Sequence, residues 1–257
     1  MRADVYLYTF GYVKSRQKAK TLIEDGYVII NGEKISKPAY ELNETLSYNI
    51  EINDPCPYVS RGGLKLEKIL DVYSIKVEDK IAIDIGASTG GFTHCLLTKG
   101  AKRVYAVDSG NDQLDPMLLD NEKVISIENY NARNIKIEDI GELVDIITVD
   151  VSFISQTYIL YPALKLLKDN GYYIGLIKPQ FEVGKEKIGK GGIVKDKKAR
   201  LLAVNRVLDC AKSCDYKCTG FIKSPIEGGD GNIEFVAMFS KNGKEINEET
   251  IRKTVLN

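Results

Sequence analysis

The 257-residue chain has no net charge, with 36 Lys and Arg against 36 Asp and Glu, and it has a single histidine, His94. A neutral chain is not attracted as a whole to a polyanion, so such a partner would have to be met by local patches. No window approaches the roughly 18 consecutive apolar residues of a membrane helix. The N-terminus, with Arg2 and Asp4 ahead of a short mixed segment, has no signal-peptide core, so a cytoplasmic protein with no membrane partner is expected. Five cysteines is an odd number, which argues against a disulfide scaffold. Cys95 shares a helical face with Phe92 and Leu96. Cys210, Cys214 and Cys218 have no histidine nearby and lack the zinc-type C-x-x-C, so they read as core or surface thiols and no metal is expected. There is no internal repeat and no low-complexity segment. At 44% hydrophobic and 28% charged residues, the composition suits one large globular domain with a small companion.

The charges that are present are unevenly placed. Residues 1–20 hold five bases (Arg2, Lys14, Arg16, Lys18, Lys20) against one acid, Asp4, and residues 178–200 hold eight bases against three acids. These are either footprints for a polyanion or two solvated faces. In the first segment Ser15 is a good N-cap for a helix from Arg16 to about Asp25, with Gly26 as its stop. Ala19, Leu22 and Ile23 form the apolar stripe of this helix, Arg16 and Lys20 share a flank, and Lys18 lies at the opposite edge. A strand from Tyr27 to Ile30, the hairpin signal Asn31-Gly32 and a strand from Leu46 to Ile52 follow. This unit is expected to span residues 1–55, with a linker at 56–60 and a second domain at 61–257.

From residue 80 apolar runs alternate with helical patterns, as in βαβ units. Strands are expected near 80–85, 103–108, 123–127, 145–150 and 172–178, then a helix over 197–213 and two strands near 217–223 and 232–240. The last two are joined by the turn-rich segment Ser224 to Gly231. The fold class is therefore α/β, a doubly wound and mostly parallel sheet of seven strands whose last strand is antiparallel, preceded by a small α+β domain. The first strand runs into Asp84-Ile85-Gly86-Ala87-Ser88-Thr89-Gly90-Gly91-Phe92 and then a helix. Such a turn is either a nucleoside cofactor site or an ordinary strand-to-helix connection. Its G-x-x-x-G-G spacing departs from the dinucleotide G-x-G-x-x-G and resembles the first motif of S-adenosylmethionine (SAM)-dependent methyltransferases.

Ligands in open α/β sheets sit beyond the carboxyl ends of the strands. One strand ends in Asp150 and the next in Lys178-Pro179, Lys65 lies on a helix just before the first strand, and Glu234 sits on a mostly apolar face of the last strand. Asp150 and Lys178 are either a structural ion pair or part of a site. Two lysines and two acids that converge would suit methylation of a ribose hydroxyl. A lysine with an ammonium pKa lowered toward about 7–8 could accept or steer its proton, the acids orienting the lysines.

Two stretches then carry family resemblances. Ser15-Arg16-Gln17-Lys18-Ala19-Lys20, Leu22-Ile23, Gly26 and Val28 to Gly32 resemble the RNA-binding domain named after ribosomal protein S-four. Val59-Ser60-Arg61-Gly62-Gly63-Leu64-Lys65-Leu66, Asp84 to Phe92, Asp150-Val151-Ser152-Phe153-Ile154-Ser155, Lys178-Pro179-Gln180-Phe181-Glu182 and Gly231-Asn232-Ile233-Glu234-Phe235 resemble the TlyA family, ribosomal RNA 2′-O-methyltransferases historically labelled hemolysin A, with an FtsJ-like catalytic domain. The resemblance implies a catalytic tetrad of Lys65, Asp150, Lys178 and Glu234, with Lys178 central and a cytidine as acceptor. It implies SAM as cofactor, S-adenosylhomocysteine as its product, and binding by Asp84, Gly86, Ala87, Ser88, Gly90, Gly91, Phe92 and Asp108, with Asn131 and Ala132 near the adenine. Arg2, Arg16, Lys18, Lys20, Arg61, Lys185, Lys187 and Lys190 would contact ribosomal RNA or ribosomal subunits, and the segment from Lys185 to Arg200 would be a mobile basic loop. The linker reads Cys56-Pro57-Tyr58-Val59, where family members often carry a basic residue and an aromatic. His94 is assigned no catalytic role.

Three other readings compete. A membrane-damaging protein, as the historical label has it, would need a spanning or strongly amphipathic cationic helix that the sequence does not offer. A nucleotide-dependent oxidoreductase would bind NAD, but the glycine spacing is wrong for it. A non-catalytic RNA-binding assembly factor would use the N-terminal unit alone.

Overall fold

The computed structural model describes residues 1–228 and 231–257, so Gly229 and Asp230 of the expected 224–231 turn lie outside the described residues. The chain divides into two compact units, Met1–Pro57 and Tyr58–Asn257.

In the first unit α1 (Ala3–Thr9) and α2 (Arg16–Glu24) pack over a three-stranded antiparallel sheet of order β2-β1-β3, with β1 at Val28–Ile30, β2 at Glu33–Ile35 and β3 at Ile50–Ile52. The Ser15 side chain caps α2 by accepting from Lys18 N, and Ala19, Leu22 and Ile23 are buried. Asn31 and Gly32 have φ of 51° and 83°, the positive values a two-residue hairpin turn demands, and Ile30 pairs with Glu33 across it. Helix α1 does not stand out in the sequence because it has only two turns. It is held by Ala3, Tyr6 and Leu7 in the unit's core. The strand expected from Leu46 starts only at Ile50. Asn43 instead accepts from Thr45 N and Oγ1, and Asn43 N donates to the Tyr48 hydroxyl, so local side-chain bonds replace the ladder there.

The second unit runs α3 (Gly62–Val72), β4 (Ile81–Ile85), α4 (Gly91–Thr98), β5 (Arg103–Val107), α5 (Pro116–Leu119), β6 (Val124–Ile127), α6 (Ile137–Ile140), β7 (Val144–Val149), α7 (Thr157–Leu164), β8 (Leu167–Ile177), α8 (Pro179–Glu182), α9 (Lys197–Lys212), β9 (Lys217–Lys223), β10 (Phe235–Ser240) and α10 (Glu248–Leu256). The sheet order is β6-β5-β4-β7-β8-β10-β9. All neighbours are parallel except β10, which is antiparallel to both β8 and β9. Strand β8 begins at Leu167, earlier than expected. It runs through Asn170-Gly171 with an irregular register opposite Asp145, and a side chain at Gly171 would meet the Asp145 carbonyl at 2.8 Å.

Alternation along β10 sends Phe235, Ala237 and Phe239 into the main core. Phe235 is fully buried and stacks on Phe221 with ring centroids 5.6 Å apart. Truncating such a ring to Ala costs about 3–5 kcal/mol. The chain moves outward from β4 to β5 and β6, then returns to β7 on the other side of β4. The crevice where the order reverses opens at the carboxyl ends of β4 and β7, where this topology places ligands. Among the described residues, no helix is long and apolar enough to cross a membrane.

Candidate active site

The crevice is shaped by backbone constraints. Gly86 has φ of +81°, and a Cβ there would lie 2.4 Å from the carbonyl oxygen of Asp150, so only glycine lets β4 turn this close to the end of β7. A Cβ on Gly91 would fall 2.2 Å from Ser60 Oγ, so α4 and the segment entering α3 also meet at a glycine. The resulting cleft is lined by Ser60, Gly62, Lys65, Gly86, Ala87, Ser88, Thr89, Gly91, Phe92, Asp150, Ser152 and Lys178.

Both expected lysines are in this cleft, each paired with an acid. Lys65 Nζ donates to Glu234 Oε2 at 2.6 Å, with both side chains buried, and Lys178 Nζ lies 2.5 Å from Asp150 Oδ1. Lys65 comes from α3, Glu234 from the residue before β10, Asp150 from the end of β7 and Lys178 from the end of β8. Four elements distant in sequence thus bring the tetrad together. Two ammoniums facing one opening, each fixed by a carboxylate, can hold and polarise a hydroxyl oxygen.

The expected cofactor residues divide by position. Gly86, Ala87, Ser88, Gly91 and Phe92 line the cleft. Gly90, with φ of +92°, is the N-cap of α4, and a Cβ on it would strike Leu118 Cδ1 at 2.2 Å. Asp84 is fully buried beneath the turn. Its carboxylate accepts from Thr93 N and Oγ1 at 2.9 and 2.7 Å and from Thr148 Oγ1 at 2.9 Å, so it holds the first turn of α4 to the sheet. Burial pushes its carboxyl up to about 6, the threonine bonds oppose this, and the charge of Asp150 adds to it. Asp108, beyond β5, accepts from Ser88 N at 2.8 Å and from Gly110 N at 2.7 Å. Each of its oxygens keeps a lone pair for a ribose hydroxyl. Asn131 and Ala132 lie past β6. The Asn131 side chain caps the turn Ala132–Asn134 by accepting from Arg133 N, and neither residue lines the cleft. Small side chains along Gly86–Thr89 leave the backbone accessible, and an acid stands at the end of the next strand, so these residues fit a nucleoside sulfonium cofactor.

Several residues already named in the sequence make contacts that no local pattern assigns. Glu182 is buried and accepts from Ser155 Oγ at 2.5 Å and Gln156 N at 2.7 Å, which ties the loop after Asp150 to the turn after Lys178. Burial raises its carboxyl, against those two bonds. Phe153 is 93% exposed with φ of 64°, and its ring lies 5.3 Å from that of Phe181. A left-handed non-glycine residue costs about 1–2 kcal/mol. A phenyl ring held in water next to Ser152 is an apolar platform on which a nucleobase can stack. In the sequence it stands within the motif Asp150 to Ser155, where nothing marks its exposure. At the start of the second unit, which takes in Tyr58 and Val59 of the expected linker, the Tyr58 hydroxyl donates to Glu67 at 2.7 Å, and His94 Nδ1 accepts from Val59 N at 3.1 Å, so this histidine anchors backbone.

The expected RNA contacts are partly engaged within the protein. In the first unit Arg2 and Arg16 both donate to the buried Asp4, each Nε at 2.9 and 2.8 Å, while remaining 44% and 57% exposed. Burial pushes the Asp4 carboxyl up, but the two arginines outweigh this and hold it below its ordinary value. Lys18 pairs with Asp54, and Lys20 lies 3.8 Å from Glu24. In the second unit Lys185, Lys187 and Lys190 are exposed on short 3-10 turns. Lys197 to Arg200 belong to α9, and the Asn232 side chain holds Gly192 O and Val194 N at 3.0 Å each, so the expected loop is irregular only up to that tether.

Comparison with known proteins agrees with this geometry. The FtsJ-like methyltransferase family profile matches residues 58–241, and the S4 domain profile matches residues 1–45. The chain is 44% identical over 240 residues to Hemolysin A of Brachyspira hyodysenteriae, covering 93% of this chain and 99% of that protein. It is 38% identical over 234 residues to the 16S/23S rRNA (cytidine-2′-O)-methyltransferase TlyA of Mycobacterium tuberculosis, covering 91% and 87%. A solved structure from Streptococcus thermophilus, provisionally named a hemolysin, superposes with a TM-score of 0.80 at 40% identity, covering 99% of this chain and 94% of the other. An N-terminal S4 domain, a doubly wound sheet with antiparallel β10, and nearly full-length relatives of both names together show that the chain belongs to the TlyA (hemolysin A) family of FtsJ-like methyltransferases.

Proposed function

We propose that this protein transfers a methyl group from SAM to the 2′-hydroxyl of a cytidine in ribosomal RNA, acting in the cytoplasm on the RNA or on a ribosomal subunit. The observation that carries this reading is the pairing of Lys65 with Glu234 and of Lys178 with Asp150 around the cleft that the glycine turn opens. The backbone from Gly86 to Gly91 and the Asp108 carboxylate would hold the cofactor. When bound, SAM would supply a sulfonium methyl whose leaving group is the neutral thioether S-adenosylhomocysteine, so the ribose O–C bond forms as the S–C bond breaks and the hydroxyl proton passes to solvent. What remains for the protein is alignment, because a ribose hydroxyl is a weak nucleophile whose lone pair must point along the breaking bond. Lys178 directs that oxygen by donating to it, Lys65 lines the same cleft, and the two carboxylates keep the lysines in place. Phe153 and Phe181 offer a face for the base. Arg2, Arg16, Lys18 and Lys20 of the S4 domain, with Arg61, Lys185, Lys187 and Lys190, meet phosphates, which carry most of the affinity for structured RNA.

The test is incorporation of label from methyl-tritiated SAM into ribosomal RNA of cells lacking the protein, with the product mapped by resistance of the modified linkage to alkali. Label confined to cytidine ribose, in small-subunit RNA, large-subunit RNA or both, is expected. Label on a base, or selective binding of NAD over S-adenosylhomocysteine, would overturn the reading.

A further inference from the structure

The two contacts of Lys178 differ in kind. Its Nζ is 2.5 Å from Asp150 Oδ1, yet among the described residues that buried oxygen accepts no hydrogen bond, so the approach is close but off-axis. Among the described residues, Lys178 Nζ donates a hydrogen bond to Ser152 Oγ at 2.8 Å. An ion pair depends on distance and constrains direction weakly, whereas a hydrogen bond weakens steeply as its angle closes. An ammonium has three N–H groups on a flexible four-carbon stem, and a rotation that Asp150 alone would permit changes where they all point.

We propose that Ser152 is a positioning residue for methyl transfer: by accepting from Lys178 Nζ it sets the rotation of the ammonium, so that an N–H points into the cleft at the acceptor hydroxyl. Ser152 itself lines the cleft, and it lies two residues beyond Asp150 on the loop that Glu182 braces through Ser155 and Gln156. The lysine is therefore oriented by a hydroxyl on a loop fixed to its own turn. The specific chemistry at this position is a small side chain with an acceptor oxygen. An alanine would leave the Asp150 ion pair in place and remove only the directional bond.

This inference rests on the methyltransferase reading, so Ser152→Ala, Ser152→Thr and Lys178→Ala are assayed side by side in the full chain on ribosomal RNA. Ser152→Ala is expected to lower kcat about 10- to 100-fold, the scale of a misaligned reacting pair. Its KM for RNA and its affinity for S-adenosylhomocysteine by calorimetry should stay within about twofold, since neither depends on the ammonium's rotation. Ser152→Thr, which keeps the oxygen, should recover kcat to within a few-fold of the parent. A parental kcat in the alanine variant, equal losses in both serine variants, or a parallel loss of S-adenosylhomocysteine binding would each overturn the assignment. If the parent chain transfers no methyl to ribosomal RNA, the methyltransferase reading falls; if Lys178→Ala keeps parental activity, the directing role of Lys178 falls, and that of Ser152 with it. If Lys178→Ala is inactive and Ser152→Ala is fully active, only the role of Ser152 falls.

Discussion

Replacing Gly86 with alanine tests whether the turn and the catalytic acid are one mechanical unit. With φ of +81°, the left-handed conformation itself costs a side chain about 1–2 kcal/mol. The added Cβ would also stand 2.4 Å from Asp150 O, 2.9 Å from its carbonyl carbon and 3.2 Å from Val151 Cγ1. Ordinary contact begins at 3.4 Å, so the backbone at Asp150 has to retreat by about 1 Å. That retreat weakens the 2.9 Å bond from Asp150 N to Ile85 O, worth about 1 kcal/mol. The total is about 2–3 kcal/mol, which for a unit of this size lowers Tm by about 5–10 °C. Because Asp150 carries the ion pair to Lys178, a displacement of about 1 Å should also reduce methyl transfer on the order of 100-fold. Gly141→Ala is the control. Its φ is +84°, and among the described residues nothing lies within 4 Å of an added Cβ, so it bears the torsional cost alone. The assays are thermal unfolding by circular dichroism and methyl incorporation. If the two variants have the same Tm and the same activity, the steric link between Gly86 and Asp150 does not operate.

Other perturbations follow from the same geometry. Asp84 holds its proton up to about pH 6 when folded but only to 3.8 otherwise, so its contribution favours the native state at low pH and is lost as pH rises through that interval. The interval corresponds to about 3 kcal/mol. Urea unfolding of wild type against Asp84→Asn should therefore diverge by that order between pH 4 and 6, whereas parallel curves would refute the buried-acid account. Lys178→Ala should fold and bind S-adenosylhomocysteine but transfer no methyl, which calorimetry and label incorporation would show. Arg16→Ala with Lys20→Ala should weaken RNA binding and flatten the slope of log affinity against log salt by about 0.7–0.9 for each phosphate that is no longer neutralised; an unchanged slope would remove these residues from the interface. Asp4→Asn should lower the melting point of the S4 domain, since the buried carboxylate accepts from both Arg2 and Arg16, and an unchanged melting point would mean that solvent replaces those bonds.

Much of the fold was legible because it depends on local rules. Ser15, Asn31-Gly32 and the alternating strand of Phe235, Ala237 and Phe239 each state their conformation within a few residues. Helix α1 and the early start of β8 were not legible, since a two-turn helix and a strand passing through Asn170-Gly171 exist only by virtue of what they pack against. Of the site, the acids and lysines at strand ends could be named from sequence. Asp84 could not be placed beneath the turn rather than on its surface, because a carboxylate's burial depends on Thr93 and Thr148 arriving from other elements.

The sequence by itself determined the strand-turn-helix at Gly86, the order of βαβ units, the small basic domain ahead of them and the family. Periodicity, glycine spacing and motif order are properties of neighbouring residues. The tertiary structure alone decided that Lys65 pairs with Glu234, 169 positions away, and that Lys178 hydrogen-bonds Ser152 rather than Asp150. These contacts depend on which strand lies beside which and on ångström-scale direction, and no local pattern encodes either.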